Sequence, residues 1–379
     1  MRKRRRERRI LVLLLVCALL VYGLVFFAAR QRQRIPTEYA QTQLAAAELL
    51  AECFNQVKAY KAELGIPLSE EDYHETGMIG ESFTGITTTL GAIEAKRTTA
   101  WPDMGALCVR LLYEAGVRPG DTVGAGFSGS FPAMNLAVIA ACQVMNVKLV
   151  YISSVGASTY GANNPELTFP EMAHRLVEDG LLETDSTAVT MGGDQDVGGG
   201  MVDPALREEI RSRLLEMGLP LLEEPDFHRN LQLRQQIYQE NGPIDCFVAV
   251  GGNITSMGLG EVGIGLGQGV LSPQQIVRLT PDSGLVQRYL SEGIPAINLL
   301  NIRKLVTDYG LPYDPDSWPE MGSSAVYYVT SYPLLPIGVG LGAAAVLLIL
   351  CRYERTRVSA VERTAMEYKV VSGEDETNG

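Results

Sequence analysis

The stretch that decides the fold is residues 122–154, which read TVGAGFSGSFPAMNLAVIAACQVMNVKLVYISS. Residues 122–127 and 147–153 are short, mostly apolar runs, as expected of buried strands. The segment between them, 132–145, has the length of a helix and begins with proline, which is favoured in a first helical turn. Apolar strands separated by a helix predict a parallel sheet that is covered on both faces.

The same alternation continues along the chain. We expect further helices near 102–115, 169–182, 204–217, 226–240 and 283–292, and further strands near 187–191, 246–250 and 296–300. The predicted fold class is therefore α/β, with a Rossmann-like, doubly wound and mostly parallel sheet.

Two long apolar runs flank this α/β region. Residues 10–29 contain no charged side chain over 20 positions, and residues 334–351 form a second uncharged run of 18. At about 1.5 Å per residue the first run spans roughly 30 Å, the thickness of the bilayer core. We predict one transmembrane helix in each run. A cleaved signal peptide is the alternative for the first run, although its apolar region is typically only about 7–15 residues long.

The cations beside these runs predict their orientation. Seven Lys and Arg residues precede the first run, and three follow it. After the second run come Arg352, Arg355, Arg357 and Arg363, whereas 318–332 contain no Lys or Arg. The positive-inside rule then places both termini in the cytoplasm, and we expect a two-pass protein of the inner, or cytoplasmic, cell membrane. The predicted parts are a basic cytoplasmic segment 1–9, a stalk helix 36–65, an extracytoplasmic α/β domain 66–332 and a disordered cytoplasmic tail 352–379. The stalk helix is expected to continue the first membrane helix, and packing on the domain is the alternative.

The segment between the two runs is strongly acidic. The chain has 32 Lys and Arg residues, of which ten lie before residue 36 and five after residue 351, so 17 lie between the two runs. It has 44 Asp and Glu residues, of which one lies before residue 36 and six after residue 351, so 37 lie between the runs. The resulting net charge of −20 repels nucleic acid and other polyanions at long range. Contact with a polyanion would have to be local, through helix N-termini or scattered cations such as Arg207, Arg211 and Arg213.

Small and polar residues recur where the predicted strands end. Ligands of open parallel sheets bind beyond these carboxyl ends, and a helix N-terminus, such as the one at Pro132, favours an anion. The residues that we expect to bind a ligand are Ser128, Gly129, Ser130, Gly193, Asp194, Asp196, Gly252, Asn253 and Thr255. Ordinary Gly- and Ser-rich loops are the alternative.

A catalytic interpretation of the same loops is also open. Residues 126–130, GFSGS, come near the Gly-x-Ser-x-Gly elbow of serine hydrolases. The candidates are Ser128 or Ser130 as nucleophile, Asp194 or Asp196 as acid, and His228 as base. More often such a serine caps a helix or binds a ligand.

Cofactor and metal signals are weak in this sequence. The letters Gly124-x-Gly126-x-x-Gly129 match a dinucleotide fingerprint, but Pro132 follows and no acidic residue closes the next strand, so no cofactor is predicted. Asp194-x-Asp196 resembles the opening of a calcium loop, but Gly198 takes the next ligand position. No metal site is therefore predicted. Cysteines 53, 108, 142 and 246 are read as buried thiols, with disulfides as the alternative.

Several short blocks of the chain form a characteristic set: Thr87–Gly91 with Ala95-Lys96, Ala115–Val117, Pro119–Asp121, Ser128–Pro132, Met191–Asp194 and Val250–Asn253. Together these blocks resemble one known family, the poly-γ-glutamate system proteins. The resemblance covers roughly residues 66–302. It implies a role beside the membrane proteins that make and export poly-γ-glutamate, a capsule-type or released polymer, and it carries over no catalytic residue.

Three functions follow from these observations. The first is an accessory membrane component of poly-γ-glutamate synthesis and export, whose partners are the membrane and the synthase and export proteins, not nucleic acid. The second is an extracytoplasmic serine hydrolase or transferase acting on γ-glutamyl bonds. The third is a small-molecule sensor. The sequence leaves open whether the protein is an enzyme.

Overall fold

The structure is a computed structural model that describes residues 2–263, 265–273 and 278–371. The chain divides into two compact units, Pro36–Tyr328 and Met1–Ile35 with Val329–Gly379. The helices are α1 Arg2–Arg30, α2 Ala40–Glu63, α3 Ile93–Thr99, α4 Asp103–Glu114, α5 Pro132–Val144, α6 Phe169–Glu178, α7 Pro204–Glu216, α8 Phe227–Glu240, α9 Ile254–Met257, α10 Leu285–Ser291, α11 Ile302–Asp308 and α12 Leu334–Val371. The strands are β1 Gln33–Pro36, β2 Thr87–Thr89, β3 Thr122–Phe127, β4 Lys148–Ser154, β5 Ala157–Ser158, β6 Ala188–Thr190, β7 Gly192–Gly193, β8 Val197–Gly199, β9 Cys246–Val250, β10 Gly269–Leu271, β11 Ala296–Leu299 and β12 Tyr328–Ser331.

The main sheet has six strands in the order β10-β11-β9-β3-β4-β6. All neighbours pair in parallel except β10, which lies antiparallel to β11 at one edge. The predicted α/β class with a mostly parallel sheet is confirmed, as is each predicted strand. The antiparallel edge strand was not predicted, because three residues carry too short a pattern to recognise.

Helices cover both faces of this sheet. Val123, Ala125 and Phe127 of β3 belong to a buried cluster that includes apolar residues of α2, α4 and α5. Gly124 lies between them and faces the other side, where a Cβ would come within 2.9 Å of the Ile244 side chain. On that side the core is built by residues of α8 and α10. The sequence TVGAGF therefore places Val123, Ala125 and Phe127 on one face of the sheet and Gly124 on the other, where the missing side chain lets α8 pack closely.

Helix α2 corrects one prediction. The segment 36–65 was expected to be a stalk or, alternatively, to pack on the domain, and the structure shows the alternative: α2 packs into the core of the α/β unit, where Ala46, Leu50 and Val57 are fully buried. Gly105 of α4 allows this packing, because a Cβ there would lie 2.6 Å from the Ala46 carbonyl oxygen. The alanine-rich face that looked like a good isolated helix is a close helix–helix contact, so the unit begins at Pro36 and not at residue 66.

The C-terminal segment corrects a second prediction. Residues from Arg352 were expected to be disordered, but α12 continues as a helix through Val371. The sequence has no Gly or Pro between Arg352 and Val371, and the first glycine is Gly373. The charged residues that suggested disorder are good helix formers when helix-breaking residues are absent. Residues 372–379 of the predicted tail lie outside the described residues.

Two helices in the other unit are long and apolar enough to cross a membrane, over Glu7–Arg30 and Leu334–Arg357. They pack against each other, with Cys17 Sγ 3.8 Å from the Ala344 carbonyl oxygen. At Gly340 a Cβ would lie 2.3 Å from the Leu24 side chain. Small residues at such a position let two apolar helices approach closely.

Substitution of Gly340 is expected to weaken this helix pair. Gly340→Val should reduce an oxidant-induced disulfide between Cys17 and an introduced Ala344→Cys, because the added methyls push Leu24 away. Mass spectrometry of proteolytic fragments from the protein in nanodiscs measures the crosslink. Gly342→Val is the matched control, since a Cβ at Gly342 meets nothing within 4 Å. Equal crosslinking in the two variants would show that Gly340 does not set the approach.

Candidate functional site

A cleft of about 240 Å³ opens at the carboxyl ends of the parallel strands. From β3 the chain proceeds to β4 and β6 on one side, and then returns to β9 and β11 on the other. Ligands of open α/β sheets bind where the strand order reverses in this way. The volume lies just below the range of typical small-molecule sites, about 300–1,000 Å³, so it suits a small ligand. The lining residues are Thr88, Thr89, Ser128, Ser130, Ser154, Gly156, Gly192, Gly193, Asp194, Asp196, Gly252, Asn253 and Ile254.

The loop between β3 and α5 forms the centre of the cleft. Ser128 Oγ accepts a hydrogen bond from the Ser130 amide at 3.2 Å and donates one to Ser130 Oγ at 3.0 Å. The Asn135 side-chain amide donates to the Ser128 carbonyl at 2.8 Å, which ties the loop to the first turns of α5. The start of α5 carries N–H groups without helical partners, which favour a negative group.

Gly129 does not line the cleft but allows it to form. It sits against three carbonyl oxygens of the neighbouring loop, and a Cβ would lie 2.7 Å from the Val155 oxygen. The Ala162 amide donates to the Gly129 carbonyl at 2.8 Å and holds the loop from the other side. Gly129, which was predicted to bind a ligand, therefore positions the serine loop and does not line the cleft.

Thr88 and Thr89 reach the cleft from a segment that the sequence left unassigned. Residues 87–89 form β2, which pairs in parallel with β5. Since β5 follows β4 by only two residues, this small sheet places the two threonines beside Ser154 and Gly156. The cluster of three consecutive threonines, suited to a strand, was the signal that could have identified them.

The loop after β6 is held by a buried ion pair. Asp196 lines the cleft and lies 2.5 Å from Arg234 Nη2 of α8; the side chains are 4% and 3% exposed. The other carboxylate oxygen accepts from Thr190 Oγ1 at 2.8 Å, and Asn230 donates to Asp196 at 3.1 Å. Gln195 and Asp196 both have positive φ, 56° and 63°, so these side-chain bonds hold a backbone that non-glycine residues rarely adopt.

Asp194 differs from Asp196. It is exposed at the cleft, and its carboxylate makes no hydrogen bond or ion pair with any of the described residues. Its amide bonds the Gly199 carbonyl at 2.9 Å, which closes the loop on itself. Opposite, Asn253 caps the short α9, its side-chain oxygen accepting from the Ser256 amide at 2.8 Å.

A buried lysine, Lys96 of α3, lies behind the serine loop and was not predicted as a site residue. Its Nζ donates to the Ser130 carbonyl and, at 2.7 Å, to Ser158 Oγ. It also lies 3.6 Å from the centre of the Phe131 ring. Burial lowers the pKa of Lys96 to about 7. The Ala95-Lys96 pair was noted only as part of the family resemblance.

Most of the predicted ligand-binding residues meet at this cleft. Ser128, Ser130, Gly193, Asp194, Asp196, Gly252 and Asn253 all line it. Thr255 is buried outside the lining and donates to Asn253 Oδ1 at 3.1 Å, a capping contact.

The serine-hydrolase candidates are only partly brought together. His228 is exposed at the start of α8, with its ring against Phe227, and none of the described residues that line the cleft is a histidine. Ser128, Ser130 and Asp194 share the cleft, but Asp196 is engaged by Arg234.

The three arginines suggested for polyanion contact are engaged within the fold. Arg211 pairs with Glu223 at 2.9 Å and with Glu208 at 3.3 Å, and Arg213 pairs with the buried Glu171 at 2.9 Å. Arg207 donates to the Val197 carbonyl at 3.4 Å. The charges of Arg211 and Arg213 are thus balanced by carboxylates of the protein itself, whereas Arg207 contacts a neutral carbonyl.

The cysteines are free and buried in the part of the chain that the structure describes. Burial raises the pKa of the Cys142 thiol to about 12, so this thiol is unreactive at neutral pH. Within the same residues no group of three or more His, Cys, Asp or Glu is placed to hold a metal ion. No family model, curated protein or solved structure matches the chain.

Proposed function

We propose that this protein is a membrane-anchored accessory component of poly-γ-glutamate synthesis or export whose α/β unit binds a small polar ligand in the cleft. The observation that carries the binding role is the convergence of five hydroxyl side chains, Thr88, Thr89, Ser128, Ser130 and Ser154, at the reversal of strand order. Hydroxyl groups and the backbone amides of glycines bind polar ligands through hydrogen bonds, although these protein groups carry no net charge.

The membrane part of the proposal rests on the two apolar helices. Their cation pattern favours cytoplasmic termini, so the acidic α/β unit would lie on the outer side of the inner membrane. The strand order and the helices on both faces support a Rossmann-like description. The polymer pathway rests on the sequence blocks that resemble the poly-γ-glutamate system proteins.

The charge of the α/β unit restricts what the cleft binds. A domain of net charge −20 repels a long polyanion, and Arg211 and Arg213 are engaged in ion pairs within the fold. A short end group with one or two carboxylates suffers much less repulsion than a whole chain. We therefore propose recognition of a chain end or a small precursor, and not of the polymer along its length.

Removal of the two cleft serine hydroxyls is expected to weaken ligand binding strongly. The probe is γ-glutamylglutamate, titrated calorimetrically into the full-length protein in nanodiscs. The double variant Ser128→Ala, Ser130→Ala should bind at least about 10-fold more weakly, since each hydrogen bond to a charged group contributes about 1.5–3 kcal/mol. The matched control is Ser291→Ala, Ser323→Ala, whose exposed hydroxyls donate only to nearby carbonyls. Equal affinity in all three proteins would remove the cleft as the site.

The same variants separate an accessory role from a hydrolase. We expect no cleavage of γ-glutamylglutamate by the wild-type protein in mass spectrometry, and an altered polymer yield in producing cells that carry the double serine variant. Cleavage that disappears in this variant would instead establish the hydrolase, which the presence of both candidate nucleophiles, Ser128 and Ser130, in the cleft favours. Unchanged yield and chain length with a folded variant would exclude both roles.

A further inference from the structure

The hydroxyl of Ser130 has one unused hydrogen-bonding direction. Its oxygen accepts from Ser128 Oγ and from the Ser158 amide, both at 3.0 Å. A serine hydroxyl has two acceptor positions and one proton. The proton donates to none of the described residues, although the side chain is only 8% exposed and lines the cleft. The open direction is therefore toward the cleft, where an acceptor oxygen of a ligand would complete it.

Lys96 stands directly behind this hydroxyl. Its Nζ contacts the Ser130 carbonyl and the Ser158 side chain, and Ser158 in turn donates its amide to Ser130 Oγ. The lysine is 3% exposed and does not reach the cleft. It touches a ligand only through the residues in front of it, so its role would be to position them and to supply charge.

Among the residues that the structure describes, no carboxylate lies close enough to Lys96 to fix its charge. Helix α5 has no charged residue. On α11, Lys304 pairs with Asp308 at 2.7 Å and Arg303 lies over the Tyr313 ring. On α3 itself, Arg97 pairs with Glu71 and Asp314, and Glu94 is part-exposed. The pKa of Lys96 is lowered to about 7 by burial alone, which leaves the amine able to gain a proton when a negative group arrives.

We infer that the cleft binds an oxyanion, a carboxylate or phosphate group, at the Ser128–Ser130 loop, and that Lys96 supplies the balancing positive charge by taking up a proton as the ligand binds. This inference rests on the proposed function of the cleft as a ligand site. The anion accepts a hydrogen bond from Ser130 Oγ, whose side chain lines the cleft. The two acidic residues of the cleft do not oppose it equally, because Asp196 is neutralised by Arg234 whereas Asp194 is exposed.

Asp194 makes the cleft selective for the charges that a ligand carries. An exposed carboxylate at the cleft repels a second negative group and attracts an amine. A ligand with one carboxylate at the serine loop and an ammonium group near Asp194 satisfies both ends. The free amino end of a γ-glutamyl chain has this combination, and inorganic phosphate has only the anion.

The wild-type protein alone provides the first test. Full-length protein in nanodiscs is titrated with γ-glutamylglutamate, whose carboxylates stay ionised, between pH 6 and pH 8. One linked proton with a free pKa near 7 predicts binding about tenfold weaker at pH 8 than at pH 6. At pH 8, titrations in buffers of different ionisation enthalpy should show uptake of close to one proton per ligand bound. Inorganic phosphate at pH 7 should compete if the anion alone suffices.

Two lysine variants form the second test. Lys96→Met should weaken binding at pH 6 at least tenfold and remove the pH dependence. Lys61→Met is the matched control, because Lys61 is also 3% exposed, donates to a backbone carbonyl and has a pKa lowered by burial, yet lies on α2 away from the cleft. It should bind as the wild type does. Ser158→Ala removes a hydroxyl that accepts from Lys96, so the midpoint of the pH profile should move to lower pH while binding below it persists.

The outcomes separate this inference from the proposed function. Binding that is independent of pH and equal in Lys96→Met and Lys61→Met overturns the inference but keeps the cleft as a ligand site. Binding that strengthens from pH 6 to pH 8 also overturns it. Absence of any binding by the wild type overturns both. If Lys96→Met does not fold, the wild-type pH profile and the Ser158→Ala shift decide.

Discussion

Arg234→Met is expected to destabilise the α/β unit by about 3–5 kcal/mol, because it leaves Asp196 charged, buried and without its partner. Thr190 and Asn230 remain as donors to Asp196 but carry no charge. The loop 192–199 should then lose the contact that holds Gln195 and Asp196 at positive φ. Chemical denaturation of the full-length protein, followed by tryptophan fluorescence or circular dichroism, measures the loss.

Two further variants make this prediction specific. Arg211→Met breaks an exposed pair with Glu223 and should cost less than about 1 kcal/mol. Adding Asp196→Asn to Arg234→Met removes the uncompensated charge and should recover part of the stability. If Arg234→Met lowers the free energy of unfolding by no more than Arg211→Met does, the buried ion pair does not hold the loop. The conformation of the cleft wall at Asp196 would then need another explanation.

Gly129→Ala is expected to disrupt the cleft from within. The added Cβ would lie 2.7 Å from the Val155 oxygen and 3.0 Å from two neighbouring carbonyl oxygens, and backbone atoms cannot yield as a flexible side chain can. The loop that carries Ser128 and Ser130 must move away from the β4 side. We expect a destabilisation of about 1–3 kcal/mol and the loss of calorimetrically detectable ligand binding.

Gly252→Ala is the matched control for this variant. Gly252 also belongs to the cleft, but its Cβ would meet only the Leu300 side chain at 3.4 Å, an ordinary contact. Its stability should stay within about 0.5 kcal/mol of the wild type. If Gly129→Ala matched the wild type in stability and in ligand binding, the two loops could separate without consequence. That result would contradict the role assigned to their close approach.

The sequence predicted the sheet because its strands are strongly apolar and are separated by helices of ordinary length. It also predicted most of the cleft, since the carboxyl ends of parallel strands must share one edge. Thr88 and Thr89 were not predicted, because they reach the cleft through β2 pairing with β5, which has only two residues. The three threonines suited a strand, but two residues of β5 carry no pattern that predicts where this strand pairs.

Lys96 and Arg234 were not predicted for a different reason. Each is an ordinary charged residue in a helical segment, and solvent exposure is the usual state of such residues. Their burial depends on tertiary contacts, with Ser130 and Ser158 in one case and with Asp196 in the other. The sequence left two roles open for α2, since an alanine-rich helix suits both an isolated stalk and tight packing against Gly105.

Hydrogen–deuterium exchange on the full-length protein in nanodiscs, with and without saturating γ-glutamylglutamate at pH 6, tests the central claim that the cleft is the ligand site. We predict slower exchange in the loops that form the cleft, above all 128–135 and 192–199, and little change in α2 or α7. Protection confined to other surfaces, or no protection anywhere, would contradict the assignment of the cleft as the binding site.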